Sequence, residues 1–498
     1  MTTAATLAPP ARPAERLRTS TPWWMALLTA GAAFSGTGSA TLNGDELATI
    51  SAASRSLAGM WELAQHIDGH FLPYYLFMHF WAMAGTAELW LRLPSALAIG
   101  VAAWLLTDLG RRLHSVRAGV IAAAVFAILP SVSYFGAFAR PYAFAAAAVV
   151  FSFWALHRAV ERPGEARRWV LYGLAVALVC CSHLFAVLVL PAHLALARRG
   201  VLLRMSAALA IGGVPAAALG LIGYGERHAI SWIPQRGPEV WLKFPKMAAG
   251  TTALGVVLFA LAVAGAVMLW TTARRGASHA ADRSEARSRP PGRAWAFALA
   301  GWLILPPLLL LAVSHLLTPV YVDRYLFVTA PALALLAGLA VASVPRFPVV
   351  AGVVVVLLGC VLAFPDHAEV REENGRFENI PWALRVIKAE RDDAIVYGQS
   401  QLRTGFDYYA DSLMPVDVLR AGDVPQPDGF GHPEHSDVSG ALEGRERVWV
   451  VWRGAKKAGL EGDAIPRVGE VRQAGFELSV AKHSGDLPGL TVALFTRR

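Results

Sequence analysis

The chain has 498 residues, 55% of them hydrophobic and only 16% charged. A soluble domain carries about 25% charged residues, and a mean hydropathy of +0.45 excludes both an ordinary soluble enzyme and a disordered chain. Three cysteines and no C-x-x-C pair exclude a disulfide scaffold and a zinc or redox cysteine motif. Cys180, Cys181 and Cys360 lie in apolar runs and read as small lipid- or core-facing residues. The formal net charge of +9 is no nucleic-acid footprint. The excess sits in short clusters at the ends of apolar runs, Arg111-Arg112, Arg167-Arg168, Arg198-Arg199 and Arg274-Arg275, as the positive-inside rule requires. A continuous basic stripe for a phosphate backbone is not visible.

The first apolar run spans 23–40 and follows Arg12, Arg16 and Arg18, which puts the N-terminus in the cytoplasm. A cleaved signal peptide ending near Ala40 is the competing reading, and the many later spans weigh against it. Spans at 89–110 and 118–139 flank Arg111, Arg112, His114 and Arg117, so that connection is cytoplasmic. Residues 41–88 then form one long external loop. Its apolar stretch 71–85 is short for a span and carries His79 and Trp81, which suits a helix lying in the interface. Two such surface helices are expected in the loop. Further spans are expected at 143–160, at 169–197 as two short helices turning near Ser182-His183, and at 205–223, 248–270, 295–316, 325–344 and 347–364. The external segment 225–246 and the charged, Pro/Ser-rich cytoplasmic segment 272–293 connect them. The fold expected is an α-helical polytopic membrane protein of about eleven spans. From Pro365 the composition turns to Asp, Glu, Gly and Pro, with strand-like runs at 394–397, 448–452 and 491–496 and a helix at 381–390. The domain plan is a cytoplasmic tail 1–21, a membrane domain 22–364 and a small extracytoplasmic α/β domain 365–498.

The chemistry gathers at one face. Asn43-Gly44-Asp45-Glu46 opens the external loop directly after the first span. Helix capping accounts for one of these carboxylates well and for both adequately. His66, Asp68, His70, Tyr74 and Tyr75 follow in the same loop. Five acids and imidazoles confined to one side of the membrane suit acid–base work or a divalent cation. Arg140-Pro141-Tyr142 and Tyr321-Val322-Asp323-Arg324-Tyr325 close spans at the same face, and His183 lies at the tight external turn. Arginine outside the membrane runs against the positive-inside rule, so Arg140 and Arg324 call for a fixed anion such as a lipid phosphate. A Walker motif, a dinucleotide fingerprint and an internal repeat are all missing from the sequence.

The acidic pair after the first span, the H-x-x-P-Y-Y stretch at 70–75, Leu91-Arg92-Leu93-Pro94-Ser95-Ala96-Leu97, Ala139-Arg140-Pro141-Tyr142 and Asp323-Arg324-Tyr325-Leu326 together resemble the C-class (GT-C) membrane glycosyltransferases. The nearest branch is similar to the protein O-mannosyltransferases and lipid A aminoarabinose transferases, including actinobacterial mannosyltransferase-like members. The likeness covers about residues 20–345. It implies a polyprenyl-phosphate sugar as donor and transfer on the outer face of the cytoplasmic membrane. It implies Asp45 as catalytic base, Glu46 in support, His183 near the donor phosphate and Arg324 as a phosphate contact. His66, Asp68, His70, Tyr74, Tyr75, Arg140, Tyr142 and Asp323 complete the candidate substrate-binding set. The large external loop of β-trefoil repeats found in protein O-mannosyltransferases is missing, which counts against a protein acceptor, and the acceptor is a lipid, a glycan or a protein. No nucleotide is needed, and a divalent cation held by Asp45, Glu46, His66, Asp68 and His70 stays open. The expected partners are thus donor, acceptor and membrane lipids, without nucleic acid. The competing functions are a lipid-linked sugar transporter, which would place polar residues at mid-bilayer in repeated halves, and an envelope scaffold.

Overall fold

The computed structural model describes residues 13–279, 292–373, 378–410, 414–454, 462–485 and 489–498. The membrane part begins with α1 (Pro13–Phe34). The loop 41–88, expected outside, then holds α2 (Gly44–Ala53), α3 (Leu57–Leu63), a 3₁₀ turn (Gly69–Phe71) and α4 (Leu72–Ala82). It therefore carries three α-helices where two were expected. The bundle continues with α5 (Glu88–Leu113), α6 (Val116–Ala127), α7 (Pro130–Gly136), α8 (Tyr142–Glu161) and α9 (Ala166–Ser182). A 3₁₀ segment (Leu184–Leu196), α10 (Leu202–Gly212), α11 (Val214–Gly225), α12 (Val240–Ala249) and α13 (Thr252–His279) follow. The last membrane elements are α14 (Gly292–Leu316), a 3₁₀ segment (Asp323–Thr329), α15 (Ala330–Ala342) and α16 (Pro348–Arg371).

Among the described residues, seven helices are long and apolar enough to cross a membrane, or eight if the bent pair α6–α7 is one span. The other runs read as spans are α1, the 17-residue α9 and the 13-residue 3₁₀ segment after it. The run at 118–139 is not one straight helix: α6 and α7 meet at 70°. Pro130 stands at the first turn of α7, where it lacks the N–H that would continue α6. α16 runs on past Phe364 to Arg371, so the change in composition falls inside a helix. Residues 1–12 of the expected tail and 280–291 of the expected cytoplasmic loop lie outside the described residues.

Burial sorts the helices. Every residue of α15 is buried, as a helix apolar all round must be when it stands at the centre of a bundle. Gly338 lets α15 approach α6 closely, since a Cβ there would sit 2.6 Å from the Ala122 amide nitrogen. α16 lies at the edge, with Val349, Val353, Leu357 and Val361 exposed to the surroundings of the bundle.

The C-terminal domain is a five-stranded sheet of order β2-β1-β3-β5-β4. Its strands are β1 (Ala394–Tyr397), β2 (Val416–Asp417), β3 (Arg447–Arg453), β4 (Phe476–His483) and β5 (Leu490–Arg497). β2, β1 and β3 are parallel, while β5 and β4 continue antiparallel. Alternation along the strands divides the core. Val396, Val448, Val450 and Trp452 face α19 (Val438–Ala441) and α20 (Pro466–Gln473). Ile395, Tyr397, Trp449 and Val451 face α17 (Ile380–Val386) and α18 (Leu402–Tyr409). The short β2 and the polar, half-exposed β4 gave no clear strand pattern in the sequence.

The face that carries α18 rests on the external loop. Arg55 donates to the Gln426 carbonyl at 2.8 Å and to that of Gly429 at 2.5 Å. The Ser51 hydroxyl donates to the Phe430 carbonyl at 3.0 Å, and the Leu42 amide donates to the Tyr409 hydroxyl at 2.7 Å.

Candidate active site at the 41–88 loop

The two neighbouring acids of the loop have opposite environments. Asn43 caps α2, and Glu46 at the third helical position reaches back to the Asn43 amide, forming a capping box. Successive helical residues point about 100° apart, so Glu46 turns into the protein and Asp45 turns out. Glu46 has no exposed surface. It takes Arg92 Nε at 2.8 Å, Arg92 Nη2 at 2.9 Å and the Ala139 amide at 3.0 Å. Arg92 spends its other donors on the carbonyls of Thr37, Ala40 and Thr41. Glu46 thus supports the site from behind rather than facing a substrate.

Asp45 is one third exposed and meets Arg324 Nη1 at 3.0 Å. Arg324 lies in the 3₁₀ segment before α15, so the first loop helix and a much later membrane segment meet at this carboxylate. The Thr49 hydroxyl, one turn along α2, donates to the Ala139 carbonyl at 3.0 Å and pins the helix to the Arg140 corner.

Asp68 has φ +55°, a left-handed conformation that aspartate adopts more readily than most residues. Its carboxylate accepts from the Tyr75 hydroxyl at 2.7 Å and from Arg140 Nη2 at 3.2 Å. Arg140 Nη1 also donates to the Tyr75 oxygen at 2.8 Å and to the Asp45 carbonyl at 3.4 Å, and the guanidinium lies 4.5 Å from the Phe71 ring centre. Burial would raise the Asp68 pKa, but Arg140, His70 and the hydrogen bonds outweigh it and hold the carboxyl below its ordinary value. Arg140 is buried. Asp68 of this same chain supplies an anion for it.

His70 Nδ1 is 3.0 Å from Glu226 Oε1, and the Gly69 amide donates to Glu226 Oε2 at 2.8 Å. His183 stands between α9 and the following 3₁₀ segment. Its Nδ1 accepts from the Phe185 amide at 3.2 Å, which leaves the proton on Nε2. Burial, followed by the charges of His70, Arg140 and Arg324, pushes this imidazole well below its ordinary pKa, so it is neutral. Its ring lies against Tyr325 at 4.8 Å, Phe71 at 5.3 Å and Tyr142 at 5.4 Å between centres. Several buried polar atoms here have no hydrogen-bond partner among the described residues: His183 Nε2, His70 Nε2, Tyr74 Oη, Tyr142 Oη, Arg140 Nε and Arg324 Nε. Buried polar atoms are normally paired, so a cluster of orphans dominated by donors fits a ligand rich in acceptor oxygens.

Of the residues singled out in the sequence, Asp45, Asp68, Tyr75, Arg140 and Arg324 form one connected network, with His70, Tyr142 and His183 beside it. His66 and Asp323 stand apart. His66 is exposed and its ring bonds to none of the described residues. Asp323 is exposed, and its charged neighbours are Arg236 and Lys243. Among the described residues no three His, Cys, Asp or Glu side chains converge on a metal position. Asp45, Glu46 and Asp68 are each engaged by an arginine and His70 by Glu226, so the set considered for a cation does not fit one. Arg92, Glu226, Phe71 and Tyr325 were not foreseen as site residues. Arg92 carried a signal, being a lone arginine near the outer end of an apolar span. Glu226 carried none, because its partnership with His70 is purely tertiary.

Residues 68–220 match the family model described as dolichyl-phosphate-mannose-protein mannosyltransferase. By sequence, no curated protein matches the chain. By structure the chain is similar to ArnT from Cupriavidus metallidurans in the apo state, with a TM-score of 0.55 and 13% identity over 97% of this chain and 98% of that one. It is also similar to the same protein bound to undecaprenyl phosphate, with a TM-score of 0.53 and 12% identity over 96% and 97% of the two chains. At such identity the likeness is one of fold. The chain has the ArnT-like GT-C fold, the fold that the motifs around Asp45 and Arg140 implied.

Proposed function

We propose that the chain is a membrane glycosyltransferase that moves a sugar from a polyprenyl-phosphate carrier to an acceptor hydroxyl, with Asp45 as general base. The transfer takes place at the outer face of the cytoplasmic membrane, and the sugar is mannose or another hexose or pentose. The observation that carries this reading is the contrast at α2. Glu46 is sealed and neutralised by Arg92, while Asp45 is reachable, oriented by Arg324 and flanked by unpaired donors. A protein of the same fold binds undecaprenyl phosphate, and the matching family model is named for a dolichyl-phosphate sugar.

The reaction is a single displacement. The acceptor oxygen attacks C1 of the sugar as Asp45 takes its proton. The bond from C1 to the phosphate oxygen breaks, and its electron pair leaves with the lipid phosphate. The product is inverted at C1. A positioned base contributes about 10²- to 10⁴-fold. The growing charge on the phosphate is met by the Nε2–H of neutral His183, the Tyr142 hydroxyl and Arg324, which act best in a site from which water is excluded. The donor's own phosphate ester supplies the driving force, so no nucleotide-binding loop is needed.

The test uses the full chain in lipid vesicles with radiolabelled polyprenyl-phosphate sugars and membrane extract as acceptor source. Wild-type protein is expected to release polyprenyl phosphate, and Asp45→Asn to lose that release while folding and inserting normally. Normal turnover by Asp45→Asn would overturn the reading.

A further inference from the structure

In the C-terminal domain the chain leaves β1 for β2 on one side and returns through β3 on the other. The strand order reverses between the parallel neighbours β1 and β3. Open α/β sheets hold ligands in the crevice outside the carboxyl ends of strands at such a reversal. Here that crevice is formed by Gln399, just after β1, and Arg453, the last residue of β3. The Gln399 side-chain oxygen accepts from the Arg453 amide at 2.9 Å, which fixes the two ends together.

The crevice faces α2. A Cβ on Gly44 would stand 2.8 Å from Arg453 Nη2 and 3.0 Å from Glu378 Oε2. Gly44 is the residue before Asp45, so the domain delivers this ion pair to the edge of the candidate active site. Arg453 Nη2 is 2.7 Å from Glu378 Oε1. Two polar atoms of the pair are left over: Arg453 Nε, a donor, and Glu378 Oε2, an acceptor, have no well-aligned hydrogen-bond partner among the described residues, with the Gly44 amide close to the Glu378 carboxylate. Glu378 is 9% exposed, while the Arg453 side chain is 31% exposed and forms the open edge.

The chemistry of the leftover atoms narrows the ligand. A donor beside an acceptor matches a hydroxyl group, which gives one hydrogen bond and takes another. The pair is neutral as a whole and asks for no charge in return. An anionic group brought here would meet the carboxylates of Glu378 and Asp45, both already matched by one arginine each. We infer that Glu378 and Arg453 form the acceptor subsite of this centre and that the acceptor is a neutral, polyhydroxylated glycan. This rests on the transferase reading above. The domain then does more than cover the site: it presents the glycan hydroxyl to Asp45.

The experiment follows one donor through two fates in the full-length protein in vesicles. Released sugar is partitioned between water and an added methyl hexopyranoside as probe acceptor, with a threonine peptide in a parallel reaction. Wild type is expected to favour the methyl glycoside over the peptide. Arg453→Ala and Glu378→Gln are expected to shift the partition about tenfold towards water, since losing a hydrogen bond to a hydroxyl costs a factor of this order. Saturation-transfer NMR of the methyl glycoside without donor provides a second readout, with the signal lost in Arg453→Ala. Equal loss of transfer and hydrolysis, or an unchanged NMR signal, would overturn the subsite. Preference for the peptide would overturn the glycan assignment. Absence of polyprenyl phosphate release by wild type with every donor would instead overturn the transferase reading, and the NMR signal would still report on the subsite.

Discussion

Glu46 is held by both prongs of Arg92, at 2.8 and 2.9 Å, with neither side chain exposed. Removing one partner of a buried pair strands the other charge, at a cost of about 3–5 kcal/mol. Arg92→Met is therefore expected to lower the unfolding temperature of the purified protein sharply. Arg324→Met breaks a pair that is about one third exposed on both sides, worth less than about 1 kcal/mol, and is expected to leave the unfolding temperature nearly unchanged. Thermal unfolding of the two variants side by side checks the contrast, and equal shifts would contradict it.

The same Arg324→Met variant is expected to be a catalytic defect in a folded protein. It removes a cation from beside Asp45 and from the place proposed for the leaving phosphate. Loss of one such electrostatic contact lowers turnover by about 10²- to 10³-fold. Steady-state rates with saturating donor measure it, and a rate within threefold of wild type would remove Arg324 from the mechanism.

Asp68 sets an expected pH dependence. Its folded pKa lies below the ordinary value, because Arg140, His70 and the Tyr75 hydrogen bond outweigh burial. A group of this sign gives its full stabilisation above the unfolded value of about 3.9 and loses it as pH falls through the lower, folded value. Stability is thus expected to be independent of this residue from neutral pH down to about 5, with the Asp68 contribution draining away only in stronger acid. Asp68→Asn should show a smaller acid-side decline than wild type. Unfolding temperatures of both proteins between pH 7 and 3 provide the measurement, and parallel curves would exclude the linkage.

Gly44→Ala offers a test with a counter-intuitive sign. Alanine in a helix is normally favoured over glycine by about 1 kcal/mol. Here the new methyl would meet Arg453 Nη2 at 2.8 Å and the Glu378 carboxylate at 3.0 Å. Those atoms end flexible side chains, so they are expected to swing aside. The unfolding temperature should stay within a few degrees of wild type while transfer to acceptor falls. A gain in both stability and transfer would show that the contact does not matter.

The membrane part of this fold was legible because lipid leaves a strong imprint on sequence. Long apolar runs and arginine clusters marked the helices from α5 to α16, and the turn at His183 fell where charge at both ends of 169–197 demanded an even number of crossings. The kink before Pro130 and the third loop helix were less visible, since short helices stabilised by tertiary contact carry weak periodicity. Asp45, Asp68, Arg140 and Arg324 stood out in the sequence because charge beside the end of an apolar helix is unusual. Their pairing did not. Which arginine answers which carboxylate is set by how α2 is seated on α4 and α18, which brings Glu46 to Arg92 and Asp45 to Arg324. For that reason the pairing of Arg140 with Asp68 was not foreseen. Glu378 and Arg453 were invisible as site residues, because a salt bridge in a polar domain looks like any other until the domain is seated on α2.

That seating dictates an order of assembly. Asp45 belongs to the first external loop and enters the membrane early in synthesis, whereas Arg324 and the Tyr409 and Arg453 contacts come from segments made much later. The nascent chain therefore carries its carboxylate without the groups that aim it. The contacts of Tyr409 and Arg453 with the 41–88 loop exist only once the C-terminal domain is seated on α2.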